Sequence, residues 1–197
     1  MVSEEGRSPS STSLISSRRK CYTNKHMTAV LAQDDIRKLV QHKPPLLEGY
    51  LDLETQLQPN GFDISLREIA RLQTPGVIAQ DNSQRVVSNL APMAFDELGF
   101  IDLVPGPYLI THNEIVHLPN NVMALGRPRS SLLRCGVTVN TAVWDAGYSG
   151  RSQSLLVVYN PLGFRLQKDA RVVQLVFFRL TGETEGYKGA YQGENIL

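Results

Sequence analysis

From Phe62 onward the chain is a succession of short apolar runs, each of strand length and each closed by a turn signal. This pattern constrains the fold more than any other feature. The runs are Phe62, Ile64 and Leu66; Leu109 and Ile110; Val122 to Leu125; Val137 to Val139; Leu155 to Tyr159; and Val172 to Phe178. Pro75-Gly76, Pro105-Gly106, Asn120-Asn121 and Asn160-Pro161 punctuate them. Segments of this length, rich in Val, Ile, Leu and aromatics, predict strands, and eight or more at this spacing predict an all-β sandwich or barrel. Ahead of them, Ile36, Leu39 and Val40 recur at helical spacing after Asp34 and Asp35, and Pro44-Pro45 ends the pattern. Residues 33 to 41 are therefore expected to form one short N-terminal helix.

The first 27 residues differ from the rest. Seven of the first seventeen are Ser, and Arg18, Arg19 and Lys20 form a basic run, so this segment is expected to be a disordered extension that cannot offset its ordering entropy by burial. Glu4, Glu5 and the missing amphipathic period argue against an organelle import signal, and the expected compartment is cytoplasmic or nuclear. Residues 28 to 197 suffice for one domain, with a tail expected to be flexible from about 182. Lys plus Arg number 20 against 19 Asp plus Glu, so a nucleic-acid-binding surface is not expected and any anionic ligand should be small. No run approaches the roughly 18 apolar residues of a membrane span. Cys21 and Cys135, the only cysteines, make neither a metal cluster nor a persuasive bridge.

Polar residues concentrate in four places. Gln58-Pro59-Asn60-Gly61-Phe62-Asp63 brings Asp63 into a strand after a Gly turn, which a turn cap would also explain. Arg127-Pro128-Arg129-Ser130-Ser131-Leu132-Leu133-Arg134 sets guanidinium forks beside two hydroxyls, a donor set that suits phosphate oxygens; a solvated loop with a helical turn would look similar. Thr141 to Arg151 places Asp145 and Tyr148 three residues apart at a Gly-containing hairpin tip, able to wrap a planar ligand, or to be a simple Asp-x-Gly turn. Arg171-Val172-Val173-Gln174-Leu175-Val176 puts Gln174 into an apolar strand, where a buried amide without a partner costs stability.

Other chemistries lack their parts. His112 and His117, five apart, are expected on opposite faces of one strand, and no Cys or acidic partner completes a zinc set. The Pro-Cys-x-x-Cys element of zinc deaminases is missing, and neither His lies in the four clusters to serve a Ser nucleophile.

Taken in order, the clusters resemble the motifs of the trimeric dUTPase and dCTP deaminase superfamily. The resemblance runs from about Leu46 to the C-terminus: Gly61-Phe62-Asp63, Arg129-Ser130-Ser131, Asp145-x-x-Tyr148-x-Gly150 and Arg171-x-x-Gln174-Leu175-Val176. The likeness is strongest to archaeal-type dUTPases, through residues 129–134, 141–145, 160–161 and 191–194. It implies a distorted β-barrel or jelly-roll-like fold, a homotrimer, and Mg²⁺-assisted attack of water on the α-phosphorus of dUTP to release dUMP and pyrophosphate. By the same resemblance, Asp145 would hold the deoxyribose 3′-hydroxyl and orient the water, and Tyr148 would stack on the sugar and exclude a 2′-hydroxyl. Arg129, Ser130, Ser131 and Gln174 would grip phosphate oxygens, while Asp63 would meet the metal through its waters.

The sister reaction, deamination of dCTP, is the rival. The deaminases place a catalytic Glu ten residues after the Asp of the third motif, and here that position is Leu155, or Val157 if a two-residue insertion is allowed. Neither transfers a proton, so deaminase activity is expected to be negligible, although Arg134 matches the deaminase pattern. A catalytically silent nucleotide-binding module is the third reading. The C-terminus departs from the Gly-rich fifth motif of common dUTPases, having Gly186-Tyr187-Lys188-Gly189-Ala190-Tyr191-Gln192-Gly193 instead. Lys188 and Gln192 are expected to meet the phosphates from a tail that closes as a lid, with a frayed terminus as the alternative.

Overall fold

The structure is a computed structural model in which residues 29–196 are described; the extension expected over residues 1–27 lies outside them. The chain begins with α1 (Gln33–Val40), β1 (Leu47–Glu48), the one-turn helix α2 (Leu53–Gln56) and β2 (Leu57–Gln58). The long β3 (Gly61–Leu72) follows, then β4 (Leu90–Pro92), β5 (Phe100–Leu103), β6 (Gly106–His112) and β7 (Ile115–His117). β8 (Val122–Pro128) leads into a second one-turn helix, α3 (Ser130–Arg134). Then come β9 (Val137–Asn140), β10 (Val143–Trp144), β11 (Ser149–Gly150), β12 (Gln153–Val158), β13 (Phe164–Gln167) and β14 (Arg171–Arg179). The all-β expectation holds. The one expected helix is joined by α2 and α3, each too short to leave a periodic signal.

Antiparallel pairing curls the strands into a half-barrel in the order β10-β8-β14-β3-β6-β12-β9, with β2 and β4 added to β3. Two small sheets, β1-β7-β11 and β5-β13, flank it. The core is the inward row of these strands: Phe62, Ile64, Val122, Ala124, Leu156, Leu175 and Phe177 are fully buried. Ile36 and Val40 pin the inner face of α1 to it. Among the described residues no helix is long and apolar enough to cross a membrane.

β3 belongs to two neighbours in turn. Phe62 to Ser65 pair with β14, whereas Leu66 to Arg71 pair with β6. At this crossing the Ser65 N–H donates to Glu114 Oε2 at 2.8 Å and the Ser65 hydroxyl to Glu114 Oε1 at 2.7 Å. Gln56 Nε2 donates to the same carboxylate at 2.6 Å and to the Asp63 carbonyl at 2.8 Å. A backbone donor leaving one ladder inside the protein needs another acceptor, and the buried Glu114 supplies it. Burial raises the Glu114 pKa, while the Ser65 and Gln56 hydrogen bonds pull it down. The network fixes the first half of β3, where Asp63 stands.

The tail, expected to be flexible from about 182, is folded back on the segment around β11. The Tyr187 N–H donates to the Ala146 carbonyl, Gly193 N–H to Ser149, and Arg151 N–H to Glu194. Gly147 sits at φ +81°, and a Cβ there would lie 2.5 Å from Gly186 Cα, so the crossing of tail and loop requires glycine.

Candidate active site

Register across β3, β14 and β8 assembles the first group. Gln174 in the middle strand lies opposite Asp63 on one side and opposite Arg127 on the other. Asp63 is 2% exposed, and its Oδ2 lies 3.0 Å from Arg129 Nε and 3.3 Å from Arg171 Nη1. The guanidiniums themselves are about one-third exposed, so a buried carboxylate holds two cationic heads at the surface. Burial pushes the Asp63 pKa up, against the pull of Arg129 and Arg171. Arg129 is further fixed by its N–H donating to the Val172 carbonyl. It follows β8 and occupies the N-cap position of α3, on which Ser130, Ser131 and Arg134 are exposed to solvent. Two guanidiniums held on one carboxylate, the Gln174 amide opposite that carboxylate and the two hydroxyls that directly follow Arg129 are a donor set for an oligophosphate. Arg171 joins this set, a residue whose sequence signal is its place in the Arg-x-x-Gln spacing.

The second group lies at the other end of β8. Residues 141–151 do not form a single hairpin tip as expected, because β10 pairs with β8 and β11 pairs with β7; the segment spans two sheets. Asp145 is exposed between them, and the Tyr148 N–H closes the turn onto its carbonyl at 3.0 Å. Tyr148 is only 5% exposed, its ring edge-on to Tyr187 and its hydroxyl donating to Glu194 Oε1 at 2.8 Å. Burial, reinforced by the Glu194 carboxylate, raises the Tyr148 pKa; burial raises that of Glu194, which the Tyr148 hydrogen bond opposes.

Of the tail residues expected at the phosphates, Lys188 Nζ meets Glu185 at 2.8 Å. The Gln192 amide accepts from Ser149 N–H and donates to the Gly147 carbonyl, both at 3.0 Å. His112 and His117 fall on β6 and β7 and not on one strand. His117 Nδ1 meets Ser149 Oγ at 2.7 Å and its Nε2 meets Glu48 at 3.1 Å, so a histidine does touch the third cluster.

The two groups are apart within one chain. Trp144 pairs with Ala124, so Asp145 comes level with residue 123, six residues from Arg129 along β8, or roughly 20 Å at about 3.3 Å per residue. Leu155 and Val157, where deaminases carry their Glu, share the half-covered face of β12, and that strand has no carboxylate. Among the described residues no group of three or more His, Cys, Asp or Glu could hold a metal ion. Asp63, occupied by two guanidiniums, does not make a direct magnesium site. A surface groove of about 390 Å³ at the adjoining ends of β5 and β13, lined by Val104, Pro161, Leu162 and Arg165, touches neither group.

A family model described as dCTP deaminase-like matches residues 30–180, and the chain belongs to this family. Within it the similarity is to proteins named for dUTP. A probable deoxyuridine 5′-triphosphate nucleotidohydrolase of Methanosarcina mazei is 52% identical over 168 residues, covering 85% of this chain and 98% of that one. The corresponding protein of Archaeoglobus fulgidus is 51% identical over 168 residues, with the same coverage. Among solved structures, a 2′-deoxycytidine 5′-triphosphate deaminase from Agrobacterium tumefaciens superposes with a TM-score of 0.58 at 22% identity. That likeness of fold covers 77% of this chain and 48% of the other.

Proposed function

We propose that this protein is a dUTP diphosphatase, hydrolysing dUTP to dUMP and pyrophosphate as a homotrimer. What carries the reading is its identity of about half, over nearly the whole length of several curated relatives, to proteins named dUTP nucleotidohydrolases. The absence of a carboxylate from β12 supports hydrolysis over deamination.

The chemistry asked of the chain is modest. Arg129, Arg171, Ser130, Ser131 and Gln174 hold the triphosphate, and Arg134 borders them. Asp145, exposed and therefore able to reach both sugar and solvent, holds the 3′-hydroxyl and orients a water toward the α-phosphorus. The water oxygen bonds to that phosphorus, the bond to the bridging oxygen breaks, and pyrophosphate leaves with its electron pair. The proton of the water passes to Asp145 and then to solvent. Mg²⁺ bound to the triphosphate would offset its charge, with Asp63 meeting it only through water. Because Asp145 and Arg129 are roughly 20 Å apart along one β8, a complete site draws one group from each of two subunits. Lys188 and Gln192 arrive with the Asp145 group.

The experiment is to incubate the protein with Mg²⁺ and either dUTP or dCTP, following pyrophosphate and ammonia together. Pyrophosphate from dUTP with no ammonia from dCTP is the expected result. Ammonia from dCTP would assign the deaminase reaction, and binding of a non-hydrolysable dUTP analogue without turnover would leave a silent module.

A further inference from the structure

We propose that Glu194 is a positioning residue that fixes the ring of Tyr148, and thereby sets how strongly the site rejects a ribonucleotide. The inference rests on the reading of Tyr148 as the residue that meets the deoxyribose. An aromatic wall excludes a 2′-hydroxyl only if its plane cannot tilt, since a hydroxyl adds little bulk and a modest swing about χ1 or χ2 would admit it. Discrimination of this kind therefore depends on what holds the ring, and the structure puts three restraints on it.

The first restraint is the hydrogen bond from the Tyr148 hydroxyl to Glu194 Oε1 at 2.8 Å, to a carboxylate 46 residues away in the tail. The second is Tyr187, seven residues before Glu194, whose ring meets that of Tyr148 edge-on with centroids 5.8 Å apart. The third is space: a Cβ on Gly150 would lie 2.6 Å from the Tyr148 hydroxyl oxygen and 3.2 Å from Glu194 Cγ, so glycine leaves the slot into which the phenol and its partner fit.

Glu194 is itself held. Its carbonyl accepts from the Arg151 N–H at 2.9 Å, and Asn195 bonds Arg151 twice, giving its carbonyl to Arg151 Nε and its amide to the Arg151 carbonyl, both at 3.0 Å. Arg151 Nη1 donates in turn to the Asn113 carbonyl at the turn after β6. The carboxylate is thus fastened to the body of the domain, and the tail acts on the sugar-facing wall as well as on whatever it covers.

The test compares kcat/KM for dUTP and for UTP in wild type, Glu194→Ala, Glu194→Gln, Tyr148→Phe and Gly150→Ala. Loss of the carboxylate should lower the dUTP-to-UTP ratio on the order of tenfold, the scale on which small steric differences discriminate substrates. Glu194→Gln keeps an acceptor and should hold the ratio within about threefold of wild type. Tyr148→Phe should repeat the Glu194→Ala ratio, and the double variant should lose no more, since both act on one interaction. Gly150→Ala leaves the tail sequence intact and should lower the ratio by displacing the phenol. Equal loss on both nucleotides in Glu194→Ala, with the ratio unchanged, would overturn the proposal and leave Glu194 as a tail anchor. Failure of wild type to hydrolyse dUTP at all would instead remove the diphosphatase reading, and this inference with it.

Discussion

Arg129 Nε stands 3.0 Å from Asp63 Oδ2, so the first and second polar clusters of the sequence meet at one buried carboxylate. Asp63→Asn should leave two guanidiniums without their anchor. Removing one partner of a buried ion pair costs up to several kcal/mol, but these arginine heads are partly solvated, so about 2 kcal/mol of stability is expected to be lost. The KM for dUTP should rise more than kcat falls, because the displaced groups are the ones proposed to bind the triphosphate. Urea unfolding and steady-state kinetics check both, and a variant with wild-type stability and KM would show that the pairing orients nothing.

His112 gives a pH dependence with a definite sign. The ring is fully buried, its Nε2 on Ser154 Oγ at 2.8 Å, and burial drops its pKa from 6.5 to about 4. Below pH 6.5 the unfolded chain takes up the proton and the native chain does not, so stability falls as pH falls from 6.5 toward 4. Asp63, Glu114 and Glu194 have raised values and act in the opposite direction, so the contribution must be read as a difference. The stability of wild type relative to His112→Gln should drop by about 2 to 3 kcal/mol between pH 7.5 and 4.5. Parallel curves for the two proteins in chemical denaturation would refute a neutral buried His112.

Removing residues 183–197 tests the docked tail. Tyr148 would lose Glu194 and Tyr187, and the 147–151 segment would lose the hydrogen bonds to Gln192, Gly193 and Glu194. The half-barrel should stay folded, since its core residues all precede the tail. Hydrolysis should fall ~10²-fold, as expected when a group that positions substrate is displaced by about an ångström. Full turnover by the truncated protein would mean that the tail plays no part.

How much of this was legible in the sequence follows from the range of each interaction. The runs at Phe62, Val122 and Val172 were visible as strands because each carries its own apolar content, and they are β3, β8 and β14. The extension of β3 through Arg67 and Glu68 was not, because alternation breaks where the strand changes neighbours. The two-residue β10 and β11 have no periodicity to read, which is why the segment around Asp145 looked like a hairpin. The candidate site residues could be named from residue type and order. That Asp63 would hold Arg129 and Arg171, or that Glu194 would reach Tyr148, depends on register and on a tail whose composition alone resembles a fraying end.

The separation of Asp145 from Arg129 makes the most demanding prediction. If one subunit supplies the phosphate grip and another the carboxylate, Asp145→Asn and Arg129→Ala should each be inactive alone, the first with kcat down by ~10² to 10⁴ and nucleotide binding retained. Neither loss is absolute for an assembly containing both. When the two variants are unfolded, mixed in equal amounts and refolded into closed oligomers, a site is intact if its Asp145 comes from the Arg129→Ala chain and its Arg129 from the Asp145→Asn chain. Each choice has a chance of one half, so about one site in four should recover. Activity near that fraction of wild type would establish a site shared between subunits. No recovery, with mixed oligomers demonstrated by mass spectrometry, would mean that both groups act within one chain and that the tail or the 141–151 segment must move by roughly 20 Å to unite them.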